Sequence, residues 1–113
     1  MGGEPYSGLR ESLAAWLGTT PERIVPAHGI QALIATVVHA FLQPGDVVVQ
    51  TTPTYGLYAT TSAAAGATVV EVANRDFRHD VDALATAARE HEARLVWLCD
   101  PNNPTGALVT REE

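Results

Sequence analysis

The chain has 113 residues, 46% of them hydrophobic, and a formal net charge of −6. This length sets one domain as the ceiling, in which about 65% of the unfolded surface could be buried. Nucleic-acid binding and membrane insertion are disfavoured, because the seven basic residues are scattered singly and no window approaches the roughly 20 apolar residues of a spanning helix. We therefore expect a soluble cytoplasmic protein with no nucleic-acid or membrane partner.

The first predicted element is an amphipathic helix over residues 8–17. Ser7 is suited to cap its start and Gly18 to end it, and residues 20–23 then predict a single helical turn. The apolar residues of the helix recur at helical spacing: Leu9, Leu13, Trp16 and Leu17. Such a stripe predicts packing against a larger body.

A strand candidate covers residues 24–27, and Pro26 weakens this prediction. The long helix that follows it is the strongest prediction in the chain. Its apolar residues recur at positions i, i+3, i+4, i+7, i+8, i+11 and i+12: Ile30, Leu33, Ile34, Val37, Val38, Phe41 and Leu42. Gly29 therefore lies at the helix N-terminus, where unpaired N–H groups and the helix dipole favour an anion such as phosphate. The alternative is that Gly29 only permits a tight turn.

Short apolar segments and helical segments alternate through the rest of the chain. Strands are predicted over residues 47–50, 67–72 and 95–99, and helices up to residue 65 and over residues 81–91. A polar connector, residues 74–79, precedes the last helix, which Asp80 is suited to cap. Strands that alternate with helices predict a parallel sheet covered on both faces, and so an α/β fold.

Two loops that follow predicted strands carry the candidate ligand-binding residues, because ligands of open α/β sheets bind at the carboxyl ends of the strands. The first holds Tyr55 between Pro53 and Gly56, where a flat ring ligand would need a stacking partner. A loop-packing role is the alternative for Tyr55, and Tyr58 is predicted to lie in the core. The second loop, residues 100–106, reads Asp-Pro-Asn-Asn-Pro-Thr-Gly.

The remaining reactive side chains indicate no metal site and no catalytic nucleophile. The histidines lack the spacing of three or four residues that a helical metal site requires, and we expect His39, His79 and His91 to be solvated. Cys99 is expected to be a buried core thiol. Neither a Gly-x-Gly-x-x-Gly sequence nor a Gly-x-Ser-x-Gly elbow occurs, and a Walker A loop is excluded because the chain has no lysine.

Four motifs in register resemble the large domain of the class I and II aminotransferases, the fold-type-I enzymes that use pyridoxal 5'-phosphate (PLP). They are Gly29 before the long helix, residues 42–46, the Pro-Thr-Tyr-Gly-Leu-Tyr of residues 53–58, and residues 100–106. Within the family they are most similar to the histidinol-phosphate aminotransferase group. The resemblance implies a three-layer, parallel-sheet PLP-dependent transferase large domain, of which residues 1–113 form an incomplete part.

The resemblance also implies a role for individual residues. The backbone amides of Gly29, Ile30 and Gln31 would face the cofactor phosphate, Tyr55 would stack on the pyridine ring, and the Asn103 amide would donate to the ring's 3'-oxygen. The substrates would be an amino acid and a 2-oxo acid in amino-acid biosynthesis, and the complete enzyme would be a homodimer.

No catalytic residue is assigned, because the family's Schiff-base lysine, its pyridine-binding aspartate and its anion-binding arginines follow the Asn-Pro-Thr-Gly loop and lie outside this chain. We expect the chain by itself to be inactive. A non-catalytic α/β remnant or subunit-pairing module with an anion-binding turn therefore stays open beside the enzyme. The resemblance further implies cis peptide bonds at Asn103–Pro104 and at Thr52–Pro53.

Overall fold

The computed structural model describes residues 5–113, and these divide into two compact units, one that ends at Leu33 and one that spans Ile34–Glu113. Helices and strands alternate along the chain. Their bounds are α1 Ser7–Leu17, a 3₁₀ turn Pro21–Arg23, α2 Ile30–Phe41, β1 Val47–Thr52, α3 Leu57–Ala64, β2 Thr68–Ala73, α4 Val81–Glu90 and β3 Leu95–Trp97.

The first unit contains α1 and the 3₁₀ turn. Gly18 ends α1 in the left-handed conformation, with φ of 66°, as predicted. The Ser7 cap was wrong, because Ser7 lies inside the helix and the left-handed Tyr6 precedes it without a side-chain cap. The strand candidate over residues 24–27 was also wrong: this segment pairs with no strand of the described residues, and Pro26 lacks the N–H that a ladder needs.

A three-stranded parallel sheet of order β2-β1-β3 organises the second unit, which confirms the predicted sheet. In its register Val49 lies opposite Val70 on one side and Val96 on the other. The central strand is the most buried of the three: its four inner residues are buried, whereas the two edge strands are only partly covered.

Helices cover both faces of the sheet. One core cluster joins α2 and α3 to the sheet: Ile34, Val38, Leu42, Val48, Tyr58 and Ala67. Neighbouring strand residues point to opposite faces, so Val49, which is fully buried, points away from this cluster. On that side α4 lies against β1 and β2 and buries Leu84. The expected three-layer α/β arrangement is therefore present.

Local signals at the ends of these elements account for where they begin and end. Asp80 caps α4 as predicted, since its Oδ1 accepts the Ala83 N–H at 3.0 Å. The last strand ends at Trp97 and not at Cys99, and the Cys99 carbonyl accepts a bond from a histidine side chain. No helix of the described residues has the length and apolarity to cross a membrane.

Among residues 5–113, three X–Pro peptide bonds are cis: Thr52–Pro53, Asp100–Pro101 and Asn103–Pro104. The first and third confirm the prediction from the resemblance, and the second was not foreseen. All three lie just beyond strand ends, in the two loops that carry candidate ligand-binding residues.

Candidate functional site

Two loops leave the sheet at the carboxyl ends of neighbouring parallel strands. The Tyr55 loop (residues 53–56) follows β1, and the Asn103 loop (residues 100–106) follows β3 by three residues. Because β1 and β3 are paired and parallel, both loops leave the sheet at the same edge, where ligands of open α/β sheets bind.

Tyr55 is held by a column of aromatic rings. Its ring meets that of Tyr58 edge-on, with centroids 5.5 Å apart and planes at 83°. Tyr58 in turn lies parallel to Trp97, at 4.7 Å and 8°, and the Trp97 indole donates to the buried hydroxyl of Ser62 at 3.1 Å. Tyr58 is buried as predicted, whereas Tyr55 is half-buried, so part of Tyr55 stays accessible.

Burial, with smaller contributions from Cys99 and Tyr55, raises the pKa of Tyr58 from its ordinary value of 10.0 to about 12. The folded protein should therefore keep the phenol proton at pH values where the unfolded chain loses it. We expect stability to fall as the pH rises from 10 toward 12. A titration followed by phenolate absorbance should lose its highest step in Tyr58→Phe; a Tyr58 that ionises like free tyrosine would contradict this.

Asn103 and Asn102 have opposite environments. Asn103, the predicted cofactor residue, is exposed, and its side-chain amide makes no hydrogen bond within residues 5–113. Asn102 is 2% exposed, and its amide reaches into the Tyr55 loop, where Nδ2 donates to the Pro53 carbonyl at 3.1 Å. The structure thus links the loops of Tyr55 and Asn103 through a residue that the sequence reasoning did not single out.

A signal for Asn102 was nevertheless present in the sequence. Asparagine stabilises tight turns by bonding to groups two or three residues ahead, and Asn102 is followed by the turn-forming sequence Asn-Pro-Thr-Gly. Its Nδ2 donates to the Thr105 hydroxyl at 2.9 Å. What the sequence could not reveal is the bond across to the other loop, since Pro53 lies 49 residues away.

His79 corrects the prediction of a solvated histidine. It is 6% exposed, and its Nε2 donates to the Cys99 carbonyl at 2.8 Å. A carbonyl can only accept, so in the neutral imidazole Nδ1 is the acceptor, and the Thr51 hydroxyl donates to it at 2.5 Å. His79 therefore connects the ends of β1 and β3 beneath the two loops.

His39, His91 and Cys99 do not connect strand ends in this way. His39 and His91 are exposed, as predicted. Cys99 is half-buried and not the buried core thiol that was expected, because it lies beyond the end of β3. No group of three histidine, cysteine, aspartate or glutamate side chains in the described part of the chain could hold a metal ion.

The predicted phosphate turn lies in the first unit. Gly29 has φ of +83°, a conformation that glycine adopts without strain, and its own N–H donates to the Ala27 carbonyl at 3.0 Å. Ile30 and Gln31 are exposed and open α2, where the first N–H groups of a helix have no intrahelical acceptor. Two of the three predicted amides are therefore available to an anion.

The sequence is similar to those of known aminotransferases. A family model described as aminotransferase class I and II matches residues 5–113. The histidinol-phosphate aminotransferase of Thermoanaerobacter sp. (strain X514) is 37% identical over 106 residues, which cover 93% of this chain and 30% of that protein. That of Moorella thermoacetica is 38% identical over 101 residues, covering 89% and 26%. The chain thus spans less than a third of the length of these relatives.

Solved structures of aminotransferases are also similar to this chain. Histidinol-phosphate aminotransferase from Sinorhizobium meliloti, in complex with pyridoxal-5'-phosphate, superposes with a TM-score of 0.82 at 33% identity, over 86% of this chain and 26% of that one. A putative histidinol-phosphate aminotransferase from Erwinia carotovora atroseptica gives 0.87 at 26% identity, over 93% and 31%.

Proposed function

We propose, because the chain belongs to the class I and II aminotransferases, that it forms part of the PLP site of an enzyme that moves an amino group between an amino acid and a 2-oxo acid. The observation that carries the proposal is the pairing of a half-exposed Tyr55 with an exposed, unbonded Asn103 amide on two linked loops. The relatives at 37% and 38% identity favour a substrate of the histidinol-phosphate type. The complete protein is proposed to be a cytoplasmic homodimer.

The residues of this chain are suited to contact part of the PLP molecule. PLP is a flat, anionic pyridine that, when bound, supplies the electron sink for the chemistry at the substrate's amino group. Tyr55 offers an aromatic ring for stacking, and the Asn103 amide offers an N–H to the 3'-oxygen, which favours its ionised form. In the first unit, the amides of Ile30 and Gln31 are the proposed phosphate donors, and Gly29 makes the turn that leads into them.

The experiment is a titration of the 113-residue chain with PLP, followed by the quenching of tyrosine and tryptophan fluorescence. We expect weak, non-covalent binding that Tyr55→Ala weakens about 2- to 12-fold, which corresponds to about 0.5 to 1.5 kcal/mol of aromatic stacking. Phe77→Ala is the matched control, because Phe77 is 79% exposed and lies outside both loops. Equal binding by wild type and Tyr55→Ala would argue against the proposal.

The same titration tests the alternative of a non-catalytic module with an anion-binding turn. Such a module would bind inorganic phosphate as tightly as PLP, since only the phosphate would be recognised. The proposed site should instead prefer PLP, because the ring adds contacts with Tyr55 and Asn103.

The 113-residue chain by itself is expected to show no transamination, because PLP enzymes hold the cofactor through a lysine amine and this chain has no lysine. After incubation with PLP and reduction with borohydride, mass spectrometry should find no labelled internal residue. The histidinol-phosphate aminotransferase of Thermoanaerobacter sp. (strain X514), treated in the same way, is the positive control. Stoichiometric internal labelling or turnover by the 113 residues alone would overturn this part of the proposal.

A further inference from the structure

The Asn102 side chain is the point at which the Tyr55 loop and the Asn103 loop are joined. Its Nδ2 donates to the Pro53 carbonyl at 3.1 Å, and its Oδ1 accepts from the Thr54 hydroxyl at 2.7 Å. Pro53 and Thr54 directly precede Tyr55, and Asn102 directly precedes Asn103. One amide thus connects the residues next to both proposed ring contacts.

Every polar atom of this amide has a hydrogen-bond partner. The second Nδ2 hydrogen goes to the Thr105 hydroxyl at 2.9 Å, so both N–H groups and the carbonyl oxygen have partners within a residue that is 2% exposed. The Pro53 carbonyl can only accept, which fixes the orientation of the amide. An ionised carboxylate of the same shape would set an oxygen against that carbonyl.

The backbone of Asn102 closes the Asn103 loop. Its N–H donates to the Ala107 carbonyl at 2.8 Å, and its carbonyl accepts from the Gly106 N–H at 2.6 Å. Asn103 is therefore carried by a closed turn that is bonded from within. A change in the Asn102 side chain alters the link to Tyr55 and leaves these two backbone bonds in place.

The Pro53 carbonyl has a second donor, the Nδ2 of Asn74 at 2.8 Å. Asn74 also donates its backbone N–H to the Thr52 carbonyl at 2.9 Å. The Tyr55 loop thus remains attached to β2 when Asn102 is replaced, and we expect Asn102 variants to fold.

We propose that Asn102 is a positioning residue that sets the spacing between the Tyr55 ring and the Asn103 amide, and thereby the fit of both to the pyridine ring. The part of this inference that concerns PLP binding rests on the proposed function. Its geometric part, the joining of the two loops, is tested without any cofactor.

The test compares Asn102→Asp with Asn103→Asp in the 113-residue chain. Without PLP, the NMR signals of the Tyr55 ring should shift more in Asn102→Asp than in Asn103→Asp, because only Asn102 bonds to the Tyr55 loop. The Asn102→Asp shift should reverse at acid pH, where a protonated carboxyl can again donate to the Pro53 carbonyl. Tyr55 ring signals that do not shift in Asn102→Asp would overturn the inference.

A second variant pair keeps the test valid if Asn102→Asp does not fold. Thr54→Val removes only the bond to Asn102 Oδ1, whereas Thr54→Ser keeps it. The Tyr55 ring signals should move more in Thr54→Val than in Thr54→Ser. The same displacement in both variants would contradict the role of Asn102.

With PLP, Asn102→Asp should weaken binding about tenfold and shift the absorption maximum of the bound cofactor. In a background that carries Tyr55→Ala and Asn103→Ala, the same change should have little effect, because the residues through which Asn102 acts are gone. An equal loss of PLP affinity in both backgrounds would show a purely structural role. If Tyr55 signals respond to Asn102→Asp but the wild type does not bind PLP, the proposed function fails and the loop-joining role stands.

Discussion

Replacing His79 by leucine is expected to lower the free energy of unfolding of the second unit by about 2 to 4 kcal/mol, because it leaves the Thr51 hydroxyl and the Cys99 carbonyl without their partner. Thr51 is fully buried and His79 is 6% exposed, so water does not readily replace the lost bonds. Urea denaturation of the 113-residue chain, followed by circular dichroism, measures the change.

His91→Leu is the matched control, since His91 is exposed and exposed substitutions usually change stability by less than about 0.5 kcal/mol. A second variant, His79→Gln, retains a side chain that can both donate and accept, and should recover part of the loss. Equal effects of His79→Leu and His91→Leu would contradict the bridging role of His79.

Replacing Trp97 by alanine should also cost about 2 to 4 kcal/mol, somewhat below the usual loss for a fully buried tryptophan because Trp97 is half-buried. The change removes the ring stacked on Tyr58 at 4.7 Å and leaves the buried Ser62 hydroxyl without its donor. Since Tyr58 supports Tyr55 edge-on, we also expect weaker PLP binding in this variant.

The chain contains a second tryptophan that serves as the control. Trp16 is 80% exposed on α1, so Trp16→Ala should leave the urea midpoint nearly unchanged. The urea midpoints of the two variants can be compared directly if the unfolding free energy of both depends equally on urea concentration. The comparison separates the contribution of Trp97 from a general effect of losing an indole. A Trp97→Ala midpoint equal to that of wild type would show that the aromatic column does not stabilise the fold.

Local signals in the sequence were sufficient for most elements. The apolar spacing of α2, the left-handed Gly18 and the Asp80 cap each depend on residues a few positions apart, so the sequence contains all that is needed to predict them. The helix–strand alternation predicted the parallel sheet for the same reason. The resemblance added the identity of the two loops and the cis bonds at Thr52–Pro53 and Asn103–Pro104.

Only the tertiary structure decided which polar side chains are buried and what they connect. His79 was expected to be solvated because it lies near a helix end, yet it bonds to residues 28 and 20 positions away. Asn102 was assigned no role from the sequence, yet its partners lie 48 and 49 residues upstream. Such bonds form only after the strands are paired, because pairing is what brings the two strand ends to one edge of the sheet. The sequence by itself thus determined most of the elements, and the resemblance supplied the proposed ring contacts Tyr55 and Asn103, whereas the folded sheet decided which residues join the two loops.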